Sequence, residues 1–368
     1  MKNLGTAGYK LLTPGPLTTT ETVKEVMLFD HCTWDDDYKE ITQKIRRDLL
    51  KLAQVEETEY TTVLMQGSGS FGVESVLGSV VPKDGCVLLL SNGAYGERAA
   101  KMCSYYEIPC IHVKQDYNKT PDANEAEELL KTHPEITHIM MIHSETTSGI
   151  LNDIESIGKL AEAYGKVFIV DAMSSFAGVE IPVKDWYIDF LISSANKCIQ
   201  GVPGFSFIIA NRVLLMESKG RARSLCLDLY DQWAGMEKDG KWRYTSPTHM
   251  VLAFEQAMKE LEQEGGIKAR HARYQKNMDT LVENFENLGF RLYVDKAWQG
   301  PIIATFLYPE GKHFDFQEMY AYIKERGYAI YPGKLTDADT FRIRVIGEIY
   351  EEDVLRLTEI MKSYMEQA

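Results

Sequence analysis

From about Thr61 to Ile209, short apolar runs alternate with segments of helical spacing. The runs are Thr61–Met65, Cys86–Leu90, His138–Ile142, Val167–Val170, Phe190–Ile192 and Phe205–Ile209. Most are too continuous to leave one face wet, since a half-solvated strand alternates apolar with polar residues. They suit a largely parallel sheet covered by helices. Glu97 to Tyr106 and Ile154 to Tyr164 supply helices between runs. The result is a βα alternation, and the expected class is α/β.

The remainder divides the chain. Pro247 to Leu288 reads as helix interrupted at Gly265-Gly266, and the domain boundary is expected there. Beyond it, Gly289–Val294, Ile302–Leu307, Tyr328–Tyr331 and Thr340–Val345 alternate with helices at Phe316–Arg326 and Glu351–Met365, which predicts a smaller α+β domain. The expected division is an N-terminal arm over 1–15, a large ligand-binding domain over 16–264 and a small C-terminal domain over 265–368.

Bulk properties exclude several partners. A formal net charge of -14 argues against nucleic acid or an anionic membrane as the main partner. It leaves room for a small anion, because screening removes most of the global field within about 10 Å. No signal-peptide core opens the chain, and no apolar run reaches membrane-spanning length. The six cysteines form no C-x-x-C pair, zinc pattern or disulfide framework, so no metal is expected and a reducing cytoplasm is the expected home.

Two ionisable residues stand at strand ends. Lys197 follows Phe190-Leu-Ile-Ser-Ser-Ala-Asn, and Asp171 ends Phe168-Ile-Val-Asp. Together they suit a carbonyl-bearing cofactor: the lysine amine forms an imine, and the carboxylate keeps a pyridine nitrogen protonated so that the ring accepts electrons. That chemistry is pyridoxal phosphate's. A surface lysine and a helix-capping aspartate are the plainer alternatives for either residue alone.

The neighbouring loops bear on the choice. Gln66-Gly-Ser-Gly-Ser-Phe-Gly satisfies G-x-G-x-x-G at Gly67, Gly69 and Gly72, so a dinucleotide-binding reading arises. That motif wants an acid after the next strand, where this chain has Ser91-Asn92-Gly93. What remains is a glycine- and serine-rich helix start suited to one phosphate, or simply a tight turn. Tyr95 lies on a post-strand loop where its face could stack on a flat ring or merely pack. Thr146 or Thr147 could donate to a phenolic oxygen, or could cap the next helix. All these loops follow strand C-termini, the edge at which open α/β sheets bind ligands.

With these residues assembled, the chain resembles the class V aminotransferases of pyridoxal-phosphate fold type I. Leu12-Thr-Pro-Gly-Pro, Leu64-Met-Gln-Gly-Ser-Gly-Ser, Ser91-Asn-Gly-Ala-Tyr-Gly, His143-Ser-Glu-Thr-Thr-Ser-Gly, Val170-Asp-Ala-Met-Ser-Ser, Ser193-Ser-Ala-Asn-Lys-Cys, Trp242-Arg-Tyr-Thr-Ser-Pro and Phe341-Arg-Ile-Arg carry the likeness over nearly the whole chain. It implies a seven-stranded-type, mainly parallel sheet and pyridoxal 5'-phosphate as cofactor. Lys197 would be the imine-forming lysine and proton shuttle, and Asp171 the partner of the ring nitrogen. Ser68, Gly69 and Ser70 would cradle the phosphate, Tyr95 and Met173 would cover the two ring faces, and Thr146 would meet the phenolic oxygen. Asn196 would join the cofactor contacts, Thr245 would reach the phosphate of a neighbouring subunit in a homodimer, and Arg342 would bind the substrate's anionic end.

The stretches Cys32-Thr-Trp-Asp-Asp-Asp-Tyr and Ser193-Ser-Ala-Asn-Lys-Cys resemble the phosphonate-handling branch of that family. The implied activity is ping-pong transfer of an amino group from 2-aminoethylphosphonate to pyruvate, giving phosphonoacetaldehyde and L-alanine. The alternative is a serine- or alanine–glyoxylate type of the same class. Three features carry blander expectations. Asp35-Asp36-Asp37 reads as an acidic helix start rather than a substrate contact, Cys198 as a buried filler, and Arg344 as a surface or ion-paired residue.

Overall fold

The computed structural model describes residues 8–309, 314–333, 335 and 338–367. Part of the expected N-terminal arm, 1–7, lies outside the described residues. Seven strands among the described residues form the principal sheet: β1 (Tyr60–Gln66), β2 (Cys86–Ser91), β3 (Cys110–Lys114), β4 (Ile136–Ile142), β5 (Val167–Asp171), β6 (Phe190–Ser194) and β7 (Phe205–Asn211), in the order β1-β7-β6-β5-β4-β2-β3. The run from β6 to β3 is parallel, and β7 is antiparallel to both its neighbours, pairing Phe207 with Leu64 and with Ser193. The predicted mainly parallel sheet is therefore present.

Its apolar strands feed two cores. Leu64, Leu88, Ile139, Phe168, Leu191 and Phe207 pack on one side, while Val63, Val87, Met140, Ile169, Ile192 and Ile208 pack on the other. Successive residues point to opposite faces, so a strand buried on both is apolar at most positions rather than alternate ones. Each such side chain contributes about 1.5–3 kcal/mol by leaving water. Strand β3 escaped the sequence reading because it is the sheet's edge. Its half-exposed Cys-Ile-His-Val-Lys lacks a continuous apolar run.

Helices α1 (Gly69–Val80) and α2 (Ala94–Tyr105) follow β1 and β2 directly. Later come α3 (Thr248–Glu264) and α4 (Gly266–Asn287), broken at the positive-φ pair Gly265 and Gly266, where an interruption was expected. Phe254 and Ala257 of α3 join a principal-sheet core, whereas Met278, Leu281 and Phe285 of α4 join a separate C-terminal core. We propose the division between domains at this break. The C-terminal part holds a second, antiparallel sheet of β8 (Arg291–Leu292), β9 (Ile303–Leu307), β10 (Tyr331–Pro332) and β11 (Thr340–Arg344), in the order β8-β9-β11-β10. The single expected strand Tyr328–Tyr331 is split: Tyr328–Ala329 instead pairs in parallel with Lys10–Leu11. That pairing ties the N-terminal segment to the C-terminal part, and the Arg344 N–H donates to the Leu12 carbonyl. Among the described residues no helix is long and apolar enough to cross a membrane.

Candidate active site

Loops leaving the C-terminal ends of β1, β2, β5 and β6 converge on a cavity of about 220 Å³. Ser68, Gly69, Ser70, Tyr95, Asp171, Met173, Asn196 and Lys197 all line it, with Val73, Ala99 and Met102 as apolar wall. Parallel strands place their following loops at one edge, so residues far apart in sequence meet there.

The glycine-rich turn is built from backbone demands. Gly67 has a φ of +101°, and a Cβ there would stand 2.6 Å from Phe71 Cγ. Ser68 takes the N-cap position of α1, and Gly69 opens the helix. A Cβ on Gly69 would run into the Met173 thioether. The first turn of α1 therefore presents free N–H groups and the positive end of a helix dipole to the cavity. Arg98 adds a cation: its Nη1 donates to Ser70 Oγ at 2.9 Å, and its guanidinium carbon lies 5.1 Å from the Tyr95 ring centroid.

Asp171 is buried, with the Met173 N–H donating to Oδ1 at 2.9 Å. Burial pushes its carboxyl up to about 6; the Met173 hydrogen bond opposes this, Glu145 adds to it, and Lys197 and Arg98 oppose it. Lys197 Nζ donates to the Pro14 carbonyl at 2.5 Å. Burial pulls its ammonium down to about 7, Arg344 adds to the fall, and Cys198 and Asp171 resist it. The pair thus consists of an acid that gains from a nearby cation and an amine of which about half is neutral near pH 7.

Three predicted residues lie outside this cavity. Thr146 is buried behind it, and its carbonyl accepts from Arg342 Nη1 at 2.9 Å. Thr147, the other candidate, is engaged elsewhere: its Oγ1 accepts from the Ala94 N–H at the start of α2. Neither caps the following helix Ile154–Ala163, whose N-cap is Asp153. Thr245 is exposed, its carbonyl accepting from Gln66 Nε2 at 2.5 Å. Arg342 is buried on β11, with Nε donating to the Pro332 carbonyl at 3.2 Å.

The blander expectations divide. Asp35 is the N-cap of helix Asp36–Leu52, with Asp36 and Asp37 in its first turn, where the dipole favours acids. Trp34 beside them is exposed, with Lys39 and Lys241 at 5.2 and 4.7 Å from its ring centroid. Cys198 is fully buried and its thiol donates to the Ser174 carbonyl, as a filler would. Arg344 corrects the expectation. It is 0% exposed, its Nη1 donates to the Pro14 carbonyl, and its Nε and Nη2 have no partner among the described residues. The adjacent face of the small sheet is covered by the loops of the large one, so alternation did not mean water.

Sequence reasoning also missed Arg98, Ser194 and Pro14. Arg98 had a signal, since it follows Tyr95 by three positions on a helix and shares its face. Pro14 had none, because its contact with Lys197 spans 183 positions.

This fold is shared with known proteins. The family described as Aminotransferase class-V matches residues 31–344, and the chain belongs to it. Among its relatives, the 2-aminoethylphosphonate–pyruvate transaminase of Lysinibacillus sphaericus is 55% identical over 359 residues, covering 98% of each chain. The protein of the same name from Bacillus cytotoxicus is 56% identical over 352 residues, covering 95% of this chain and 96% of its own. Among solved structures, alanine–glyoxylate aminotransferase from Nostoc sp. has a TM-score of 0.91 at 23% identity, covering 99% of this chain and 97% of its own. Ureidoglycine–glyoxylate aminotransferase from Bacillus subtilis has a TM-score of 0.90 at 22% identity, covering 100% and 95%. These structural likenesses establish the fold.

Proposed function

We propose that this protein transfers the amino group of 2-aminoethylphosphonate to pyruvate, forming phosphonoacetaldehyde and L-alanine, with pyridoxal 5'-phosphate as cofactor. The observation that carries the chemistry is the meeting of buried Asp171, Lys197 with its ammonium pulled down to about 7, and the open N-terminus of α1 in one cavity. The choice of amine rests on two similarly named relatives at 55% and 56% identity over nearly the whole chain.

The residues fit the cofactor. Ser68, Gly69 and Ser70 would take a phosphate at the helix start, with Arg98 supplying charge. Tyr95 and Met173 would bound a flat ring, with Thr146 and Asn196 beside it. Asp171 would hold a proton on the ring nitrogen, which removes the cost of its own buried charge. When bound, pyridoxal phosphate supplies a carbonyl for amines and an electron sink for the carbon next to nitrogen. Lys197 Nζ, about half of it neutral near pH 7, can accept the proton from that carbon and return it to the carbon on the far side of the nitrogen. Arg342 would hold the anionic end of either substrate, because its fork engages carboxylate or phosphonate oxygens.

A homodimer is the proposed unit, in which the exposed Thr245 would reach the other copy's phosphate cradle. A cytoplasmic setting accords with six cysteines that are all free. The test is a donor panel with pyruvate as acceptor, read by alanine formation and by bleaching of the visible cofactor band. Strong turnover of 2-aminoethylphosphonate is expected. A preference for serine would move the reading to the serine–glyoxylate type, and a colourless protein that cannot be loaded would remove it altogether.

A further inference from the structure

Strand β11 carries two arginines on one face, Arg342 and Arg344, two positions apart, with Phe341 and Ile343 turned into the C-terminal core. Both are buried. Arg342 is held by the carbonyls of Thr146 and Pro332. Among the described residues, the Arg344 guanidinium has only the Pro14 carbonyl, which also accepts from Lys197 Nζ. The largest charge influences on Arg344 come from Cys198, Tyr95, Tyr274 and Arg342, with Lys197 also nearby, and among the described residues no carboxylate forms an ion pair with it. A guanidinium taken out of water without a counter-anion is costly, and here a second one stands beside it.

The unsatisfied atoms are Nε and Nη2, the edge of the guanidinium that engages two oxygens of one acid group. Their position is set from both ends. The Arg344 N–H is tied to the Leu12 carbonyl, and Nη1 to the carbonyl of Pro14 two residues on. That same Pro14 carbonyl holds Lys197 Nζ, so the empty fork lies next to the amine at which the substrate carbon reacts.

We propose that Arg344 is a specificity-determining residue that binds the anionic end of the substrate together with Arg342, favouring a doubly charged phosphonate over a singly charged carboxylate. This rests on the proposed function and deepens it. One guanidinium suffices for a carboxylate, while a phosphonate offers a third oxygen and a second charge that a second fork can take.

The test uses unreactive ligands of matched length, ethylphosphonate and propanoate, titrated calorimetrically into the cofactor-loaded wild type, Arg344→Gln and Arg344→Lys. Wild type should bind ethylphosphonate the more tightly. Arg344→Gln should weaken ethylphosphonate by about tenfold or more and propanoate by less than about threefold, the difference being one charge-assisted contact. With 2-aminoethylphosphonate as donor, KM should rise while kcat changes far less. Arg344→Lys, which keeps the charge and loses the fork, should fall between; it also supplies the reading if the glutamine variant does not fold. Unchanged ethylphosphonate affinity would overturn the proposal, as would an equal loss of both ligands accompanied by a lower melting temperature. Wild-type preference for another amine would instead strike the proposed function, since the two unreactive ligands report on Arg344 independently of turnover.

Discussion

The edge of the principal sheet and the inner face of the small sheet both present buried charge, but by different routes. At the large edge, one apolar strand ends abruptly in Asp171 and another, closing on two serines, leads within a few residues to Lys197, so ionisable groups mark where the core stops. On β11 the charges sit inside the strand, alternating with core residues, and the pattern is that of an ordinary half-wet strand. Only the neighbour decides whether the polar face meets water or another part of the protein. Here it meets the loops around Pro14 and Thr146. Alternation reveals that a second face exists and is silent on what covers it.

Substitutions at the large edge should have the greatest effects. Lys197→Ala should lower turnover by more than about 10⁴-fold, as loss of a covalent proton shuttle does, and abolish the absorbance of lysine-bound cofactor. Retained absorbance of that kind would refute the assignment. The same lysine gives a pH signature in the protein without cofactor. Its ammonium is pulled down to about 7, so the neutral, reactive amine accumulates as pH rises through about 7 rather than 10.5. Cofactor loading should accelerate over that range. Stability should also rise between those values, because the unfolded chain then binds the extra proton.

Asp171→Asn should reduce turnover by roughly 10²–10³-fold, the loss of a preorganised charge. The fold without cofactor should respond in the opposite sense. Asp171 is raised from 3.8 to about 6, so its buried carboxylate opposes folding increasingly as pH rises through that interval. The amide should leave the cofactor-free protein at least as stable at pH 7, as measured by its melting temperature. A clear drop would mean that the carboxylate is a structural requirement.

At the small-sheet face, Arg342→Lys should keep the cofactor band and lose roughly 10–100-fold of activity with both substrates, since an ammonium cannot reproduce the fork. Unaltered activity with the phosphonate would break the idea of a shared anion site. The smallest effect belongs to the turn before α1. Gly67→Ala should cost about 1–3 kcal/mol, measured by denaturant unfolding, because φ of +101° and the Phe71 ring both resist a Cβ.

The sequence made the large edge legible because each site residue there follows a strand closely, and strand order puts such loops together whatever their spacing. Arg98 was recoverable from helical spacing with Tyr95. Strand β3 was hidden by its edge position, and the split at Tyr328–Ala329 by a partner more than 300 residues away in the N-terminal segment.

By itself, then, the sequence determined the α/β class, the two-sided burial of the sheet and the gathering of Lys197, Asp171 and the glycine-rich turn at one edge of it. Local periodicity and strand-end chemistry are properties of short segments. Tertiary structure alone decided that Pro14 joins Lys197 to Arg344, and that Arg344 is buried with Nε and Nη2 unmet among the described residues. Those facts depend on which distant surfaces cover one another, and no periodicity within a strand encodes its neighbour.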